Sequence, residues 1–343
     1  MAERLRVHVI YEHGGDGVPF GCAYIRDLLP LGHPTNSTRI ALTAASDYAP
    51  ADVVVVERTV RTGATVFDAE ELLERARRDR ARLAYTLDDN LLDAPSLSPA
   101  SRGVVRLLCR EADAVLVATL ALAQRLARLA RKLVVLPNAL DERLFLAEAE
   151  SSQRRDGGGV CIGYMGTWTH DRDLLLVLQP LRQVLRAYRG SVRFEMVGGA
   201  DAAILSAFEG LAVRALTVPP PEVEYPRFVR WLRSNARWDM AMAPLEDTPF
   251  TRAKSDIKFL DYGALELATV CSAVPAYTAT VQHGVNGLLV ANTPDAWAEA
   301  LARLVEDDSL RRRLAGAARA YVTAERTLSR RAPAWADALL ALS

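Results

Sequence analysis

DVVVVERTVRTGATVFDAEELLERARRDRARLAYTL, residues 52–87, decides the fold class. Val53 to Val56 form a continuous apolar run of strand length with no polar face. A charged amphipathic helix follows near Asp68 to Arg80, and Arg82 to Leu87 reads as the next strand. A strand that is apolar on both sides must be covered on both sides. Strand, helix, strand with such strands therefore predicts a parallel sheet between two helical layers.

The same alternation extends outward. Before it, Arg4 to Tyr11 is a strand, His13-Gly14-Gly15-Asp16-Gly17 a glycine-rich loop, and about Phe20 to Leu29 a helix. After it come helix 99–111, strand 113–118, helix 119–131 and strand 132–136. Ser151 to Gly159 is polar, glycine-rich and without apolar period, which marks a linker. The alternation then restarts: strand 160–165, helix 173–188, strand 191–197, strand 213–218, helix 225–236, strand 239–243, helix 255–266 and strand 268–272. A turn at Gly284-Val285-Asn286-Gly287 precedes Leu288 to Val290, and the chain from Pro294 onward is helical. This predicts an α/β chain with two doubly wound, Rossmann-like domains. The first spans 1–150, the linker 151–159 and the second 160–322. A final helix, 323–343, is expected to pack back on the first domain. The ligand site expected of such a pair is the cleft between them, where carboxyl ends of strands point.

Composition sets limits. The chain has 343 residues, with 42 Lys+Arg against 42 Asp+Glu. Such a balance gives no support to a nucleic-acid or anionic-membrane partner. The apolar start is too short for a signal peptide, and no apolar stretch approaches the length of a membrane span. Cys22, Cys109, Cys161 and Cys271 stand alone in sequence, which implies free thiols, no structural zinc and a cytoplasmic setting. The basic residues are almost all arginine. Lys132, Lys254 and Lys258 are the exceptions.

Two of those lysines lie in the segment richest in chemistry, Thr251-Arg252-Ala253-Lys254-Ser255-Asp256-Ile257-Lys258-Phe259-Leu260-Asp261-Tyr262. It follows a strand and opens a helix, where free N–H groups and the dipole favour an anion. If both are helical, Lys254 and Lys258 share a face. Cations beside a carboxylate suit a nucleotide: Arg252, Lys254, Ser255 and Lys258 for a diphosphate, Asp261 for ribose hydroxyls. The other reading is a solvated helix face with an ordinary Lys–Asp pair. Gly166 and Thr167, at the end of strand 160–165, suit a phosphate or merely a tight turn. Gly14 and Gly15 could cradle a phosphate or an acceptor, or form a plain loop. Asp88 and Asp89 follow strand 82–87. Adjacent carboxylates there could accept sugar hydroxyls, act as a general base, bind a metal, or cap a helix. His170 lies in a Thr-His-Asp loop facing the expected cleft and is either catalytic or structural. No metal site is expected.

With these residues in view, the chain resembles the GT-B fold glycosyltransferases, and is most similar to the retaining family four, or "group 1", type. Leu136-Pro137-Asn138-Ala139-Leu140-Asp141-Glu142-Arg143-Leu144-Phe145 resembles that family's Pro-Asn-Gly-Val-Asp-x-x-x-Phe signature. Gly163 to Thr167 resembles the loop that opens its donor domain, and residues 254–272 its donor motif. His283 to Val290 is similar to its His-Gly-x-Asn-Gly-Leu-Leu-Val turn, and Tyr85 to Asp89 to an Asp-Leu-Asp-Asp element of one subgroup. The resemblance implies transfer of a sugar from a nucleoside diphosphate donor to an acceptor hydroxyl, with retention, without metal and with no cofactor beyond that substrate. It implies Asp261 at the ribose, Lys254 and Lys258 near the diphosphate, Gly166 and Thr167 at the phosphate, and Asp88 and Asp89 near sugar or acceptor. The motif's two glutamates fall on Ala253 and Asp261, and its Gly-Leu-Pro on Glu266-Leu267-Ala268. The missing carboxylate could come from Glu246, Asp247 or Asp256. These departures keep two alternatives open, a nucleotide-sugar epimerase and a non-catalytic partner subunit. The partners expected are small-molecule donor and acceptor. The oligomeric state is not read from the sequence.

Overall fold

The structure is a computed structural model that describes residues 3–146, 159–166, 171–198 and 202–343. These residues fall into two compact units. The first holds the chain up to Asp141, then Pro249–Ser255 and Arg326–Ser343; the second holds Glu142–Thr248 and Asp256–Glu325.

In the first unit the strands are β1 (Leu5–Ile10), β2 (Ile40–Ala45), β3 (Val53–Glu57), β4 (Arg82–Leu87), β5 (Ala114–Val117) and β6 (Leu133–Val135). They form one parallel sheet in the order β2-β1-β3-β4-β5-β6. The valine run of β3 shows why. Val54 and Val56 face a core shared with Leu72, Leu108 and Leu122. Val53 and Val55 face the other core, shared with Trp335 and Leu339 of the terminal helix Leu328–Leu340. Alternate residues of one strand thus supply both layers. The helix after β3 runs Val66–Arg78, with a reciprocal Thr65–Asp68 capping box at its start and Ala69, Leu72, Leu73 and Ala76 as its buried stripe.

The sequence does not announce β2. Its residues are short or half-exposed, as suits an edge strand with one neighbour. The helix expected over about 20–29 is interrupted: a π-helical turn, Tyr24–Leu28, lies between α-helical pieces Gly21–Ala23 and Leu29–Leu31. That turn buries Arg26 and Asp27. Arg26 reaches the Leu136 carbonyl at 2.5 Å and Asn138 Oδ1 at 2.7 Å, and its guanidinium lies 5.5 Å from the Trp335 ring centre.

In the second unit β7 (Val160–Met165), β8 (Val192–Val197), β9 (Val213–Leu216), β10 (Met240–Ala243), β11 (Ala268–Ser272) and β12 (Leu288–Val290) form a parallel sheet in the order β12-β11-β10-β7-β8-β9. Its order is that of dinucleotide-binding Rossmann sheets, and it reverses between β7 and β10. In the first unit it reverses between β1 and β3. Ligands of open α/β sheets bind beyond the carboxyl ends of strands at such points.

The helix expected over 255–266 runs Ile257–Ala264. Lys254 has extended backbone and follows a separate one-turn helix, Thr251–Ala253. Lys254 and Lys258 therefore do not share a helical face, because the segment 249–255 leaves the helix for the first unit. At the helix's other end Glu266 takes a left-handed backbone, φ 58°. Its N–H bonds the Gly263 carbonyl and the next N–H, of Leu267, bonds that of Tyr262. This is a Schellman cap made without glycine. Glu266→Gly should raise stability by about 0.5–1 kcal/mol, the left-handed strain relieved less the added freedom of the unfolded chain. A rise in melting midpoint checks it; a fall would mean that the contact of Arg319, 3.9 Å from the Glu266 carboxylate, outweighs the strain.

Candidate functional site

In the second unit Lys258 and Asp261 lie one turn apart on the helix that follows β10. The Lys258 ammonium sits 4.9 Å from the centre of the Tyr164 ring. Asp261 is buried, and its Oδ1 has no hydrogen-bond partner among the described residues. Burial pushes the Asp261 carboxyl well above the usual range; Lys258 opposes that shift and Asp256 reinforces it. A buried carboxylate oxygen without a hydrogen bond is rare in a folded chain, and this one lies on the helix that also carries Lys258. The phenol of Tyr262, next along the helix, instead accepts the Met165 N–H at 2.9 Å. It ties the helix to the end of β7.

Gly166 follows β7 at the switch point. Its N–H donates to the Val197 carbonyl at 3.0 Å, so this amide serves the sheet and does not face a phosphate. What the glycine provides is room: a Cβ there would lie 2.7 Å from the Tyr164 hydroxyl. Gly198 ends β8 with φ +68°, and a Cβ there would lie 2.3 Å from the Gly166 carbonyl oxygen. Two glycines thus let two strand ends touch. The loop after β10 is braced by Ser272 and Asn292, whose side chains take the Leu245 N–H and carbonyl at 2.8 Å each. Glu246 follows, its N–H on Asp173 Oδ1 at 2.9 Å. Of the carboxylates that could replace the acid missing at Ala253, Asp256 accepts the Thr280 hydroxyl at 2.6 Å, and Glu246 lies beside the switch point. The His283–Val290 turn is structural: Asn286 Oδ1 accepts the Gln282 N–H at 2.7 Å and His283 Nδ1 that of Leu289 at 3.2 Å. Thr167, Trp168 and His170, and residues 151–158 of the expected linker, lie outside the described residues.

In the first unit, acids and bases gather where β1, β3 and β4 end. Arg58, just past β3, holds a left-handed backbone at φ 54°. Its Nε donates to Glu12 Oε2 at 2.7 Å, and its Nη1 lies 3.4 Å from Asp88 Oδ1. Glu12 also accepts the Thr59 hydroxyl at 2.6 Å, and its N–H donates to Glu57 at 2.9 Å. Asp89 Oδ1 receives Lys254 at 3.0 Å. Strain in a non-glycine residue persists only where its surroundings hold it. Here four polar contacts of Glu12 and Arg58 do so.

Lys254 is thus the partner of Asp89, and the segment around it is part of the first unit. Thr119 Oγ1 donates to the Ala253 carbonyl at 2.8 Å and Asn138 Nδ2 to Ser255 Oγ at 2.9 Å. Ala253 is buried in the core that contains Val54 and Leu122. Lys254 and Ser255 thus belong to the first unit and Lys258 and Asp261 to the second, and Arg252 is exposed in the one-turn helix Thr251–Ala253 of the first unit. Ala253→Glu, which restores the acid of the resembled motif, should destabilise by about 3 kcal/mol or more by burying a charge among apolar side chains. Unfolding in denaturant measures it; an unchanged midpoint would show that the segment lifts off the core without loss. The amides of Gly15 and Gly17 point at His13 Nδ1, at 3.0 and 3.2 Å. They serve the loop itself.

Sequence reasoning missed Glu12, Glu57, Arg58 and the buried pair Arg26–Asp27. The readable signal was Glu57-Arg58, a charge pair closing an otherwise apolar strand. Burial raises the Glu57 carboxyl to about 8, with Arg58 opposing, and that of Asp27 to about 7, with Arg26 opposing. Burial, then Asp89, raises Asp88, which Arg58 and Lys254 pull back. At neutral pH Glu57 is thus mostly protonated, and Asp27 is near its midpoint. Asp88 and Asp89 sit nearest the cations. The folded chain keeps the Glu57 proton up to about pH 8. The unfolded chain releases it near pH 4.3. Stability therefore falls as pH rises through that window. Glu57→Gln should flatten the fall, read as melting midpoints from pH 5 to 9; a parallel curve would refute the assignment.

The comparisons agree with this architecture. Anabaena HepE, solved with UDP and glucose, is 15% identical, with a TM-score of 0.72, over 99% of this chain and 100% of that one. Sucrose-phosphate synthase from Thermosynechococcus elongatus is 14% identical, TM-score 0.73, over 99% and 100%. A UDP-forming trehalose-phosphate synthase from Burkholderia xenovorans is 16% identical, TM-score 0.59, over 86% and 75%. No curated protein sequence matches significantly. Among the described residues no helix is long and apolar enough to cross a membrane. The fold is that of the GT-B glycosyltransferases, and residues 159–307, most of the second unit, match the family described as "Glycosyl transferases group 1".

Proposed function

We propose that the chain is a glycosyltransferase that moves a sugar from a uridine diphosphate donor to an acceptor hydroxyl, in the manner of the retaining family four. The observation that carries this reading is the open, buried Oδ1 of Asp261 beside Lys258, on a helix that follows the central strand of a Rossmann-ordered sheet. Asp261 holds the ribose hydroxyls. Lys258 faces the diphosphate, whose charge grows as the sugar leaves, and Arg252 adds to the positive field; a preorganised cation lowers the barrier most where charge develops. The choice of uridine follows HepE, solved with UDP. In the first unit Asp88 orients the acceptor hydroxyl, while Asp89 is held by Lys254. Leaving-group charge is carried by side chains, so turnover should survive a chelator.

The test is turnover of UDP-sugars followed by proton NMR. UDP release with an axial anomeric product from an axial donor, unchanged by EDTA, supports the proposal. An inverted product would refute retention and make Asp88 a general base. No release with any UDP-sugar would refute the donor class.

A further inference from the structure

The crossover from β9 to β10 contains the helix Tyr225–Asn235, YPRFVRWLRSN. Val229 and Leu232 anchor it by burial. Away from that stripe, Glu222, Arg227, Arg230, Trp231, Ser234 and Asn235 line a groove of about 480 Å³. It is a shallow groove, open to solvent along its length, rather than an enclosed cavity. Phe228 and Trp231 form a stacked pair, centroids 6.4 Å apart and planes 23° from parallel. Of the pair, Trp231 lines the groove and supplies its aromatic wall.

The polar groups of this groove divide in two. Arg227 is held, with its Nη1 on the Pro221 carbonyl at 3.2 Å and its Nε 3.6 Å from Glu224. Asn235 Nδ2 donates to the Trp231 carbonyl at 2.8 Å, which leaves its Oδ1 as the acceptor still to be used. The Glu222 carboxylate, the Arg230 guanidinium and the Ser234 hydroxyl have no side-chain hydrogen bond or ion pair among the described residues. The groove thus offers an aromatic wall, one open cation, one open anion, a hydroxyl and an amide oxygen. A sugar ring matches that set. It has an apolar C–H face to lie on an indole, and hydroxyls that both donate and accept. A polyphosphate does not match, because Glu222 would repel it. Tryptophan and arginine are also the residues that most often dominate binding energy at recognition surfaces.

We propose that this groove is a second carbohydrate site, which takes a neutral oligosaccharide against Trp231, with Arg230 and Glu222 bonding its hydroxyls. It shares no residue with the Lys258–Asp261 position and stands independently of the donor reading. The test is fluorescence polarisation with labelled maltohexaose, cellohexaose, laminarihexaose and chitohexaose, and with a heparin-derived hexasaccharide as the anionic probe. At least one neutral hexasaccharide should bind the full chain. Trp231→Ala should weaken it tenfold or more and Arg230→Ala severalfold, with melting midpoints of the ligand-free variants unchanged, since both side chains are at least partly exposed. Binding by no neutral probe, binding by the anionic probe alone, or equal binding by the Trp231→Ala chain would each overturn the proposal.

Discussion

Gly198→Ala should destabilise the second unit by about 3 kcal/mol or more, while Gly210→Ala should cost only about 1 kcal/mol. Both glycines have left-handed backbone, φ +68° and +75°. Any alanine there carries the same conformational penalty. They differ in what a new Cβ would meet. At Gly210 it meets nothing within 4 Å, whereas at Gly198 it lies 2.3 Å from the Gly166 carbonyl oxygen. Backbone cannot swing aside as a side-chain tip can, so the ends of β7 and β8 must part. For a unit of this size the difference should separate the two melting midpoints by about 4–8 °C. Equal midpoints would show that the strand ends yield freely. Because the clash would displace Gly166 at the end of β7, a strand that borders the switch point, Gly198→Ala should also lose nucleotide response even below its melting midpoint. Gly210→Ala should keep it.

The second large effect concerns Asp261. Asp261→Asn keeps the shape but removes a carboxylate that burial already holds well above its usual pKa. A group placed for a ligand is often unfavourable for the fold. The variant should therefore be at least as stable as the parent while kcat/KM falls about 100-fold or more, a loss of about 2.7 kcal/mol in transition-state binding. Lys258→Ala should lower activity comparably. It should also lower stability, because it removes the cation that offsets the Asp261 charge. Falling stability with unchanged turnover in Asp261→Asn would make the pair a structural ion pair and no more.

The parts of the fold legible in sequence were those with strong periodicity. β3 and β4 have no polar face, and the stripe Ala69, Leu72, Leu73, Ala76 could belong only to a helix. β2 was illegible because an edge strand needs little apolar surface. The fate of Ala253 was illegible for a different reason. Small residues fit a core as well as a loop, and only the fold shows Ala253 beneath Thr119, with Lys254 turned to Asp89. Local spacing grouped Lys254 with Lys258, while the backbone separates them. Glu57 and Asp27 show the same limit: a carboxyl becomes a proton-holding group through burial, which no neighbour in sequence specifies. At Glu266 the sequence signalled a lost glycine cap, and the structure keeps the cap geometry at the expense of strain.

Asp261 and Lys258 are proposed to receive a uridine nucleotide. Titration calorimetry of UDP into the parent chain and into Asp261→Ala tests it most directly. One-to-one binding to the parent is expected, weakened tenfold or more in the variant, a difference of at least about 1.4 kcal/mol. Absence of heat with the parent, or equal affinity in the two chains, would contradict it.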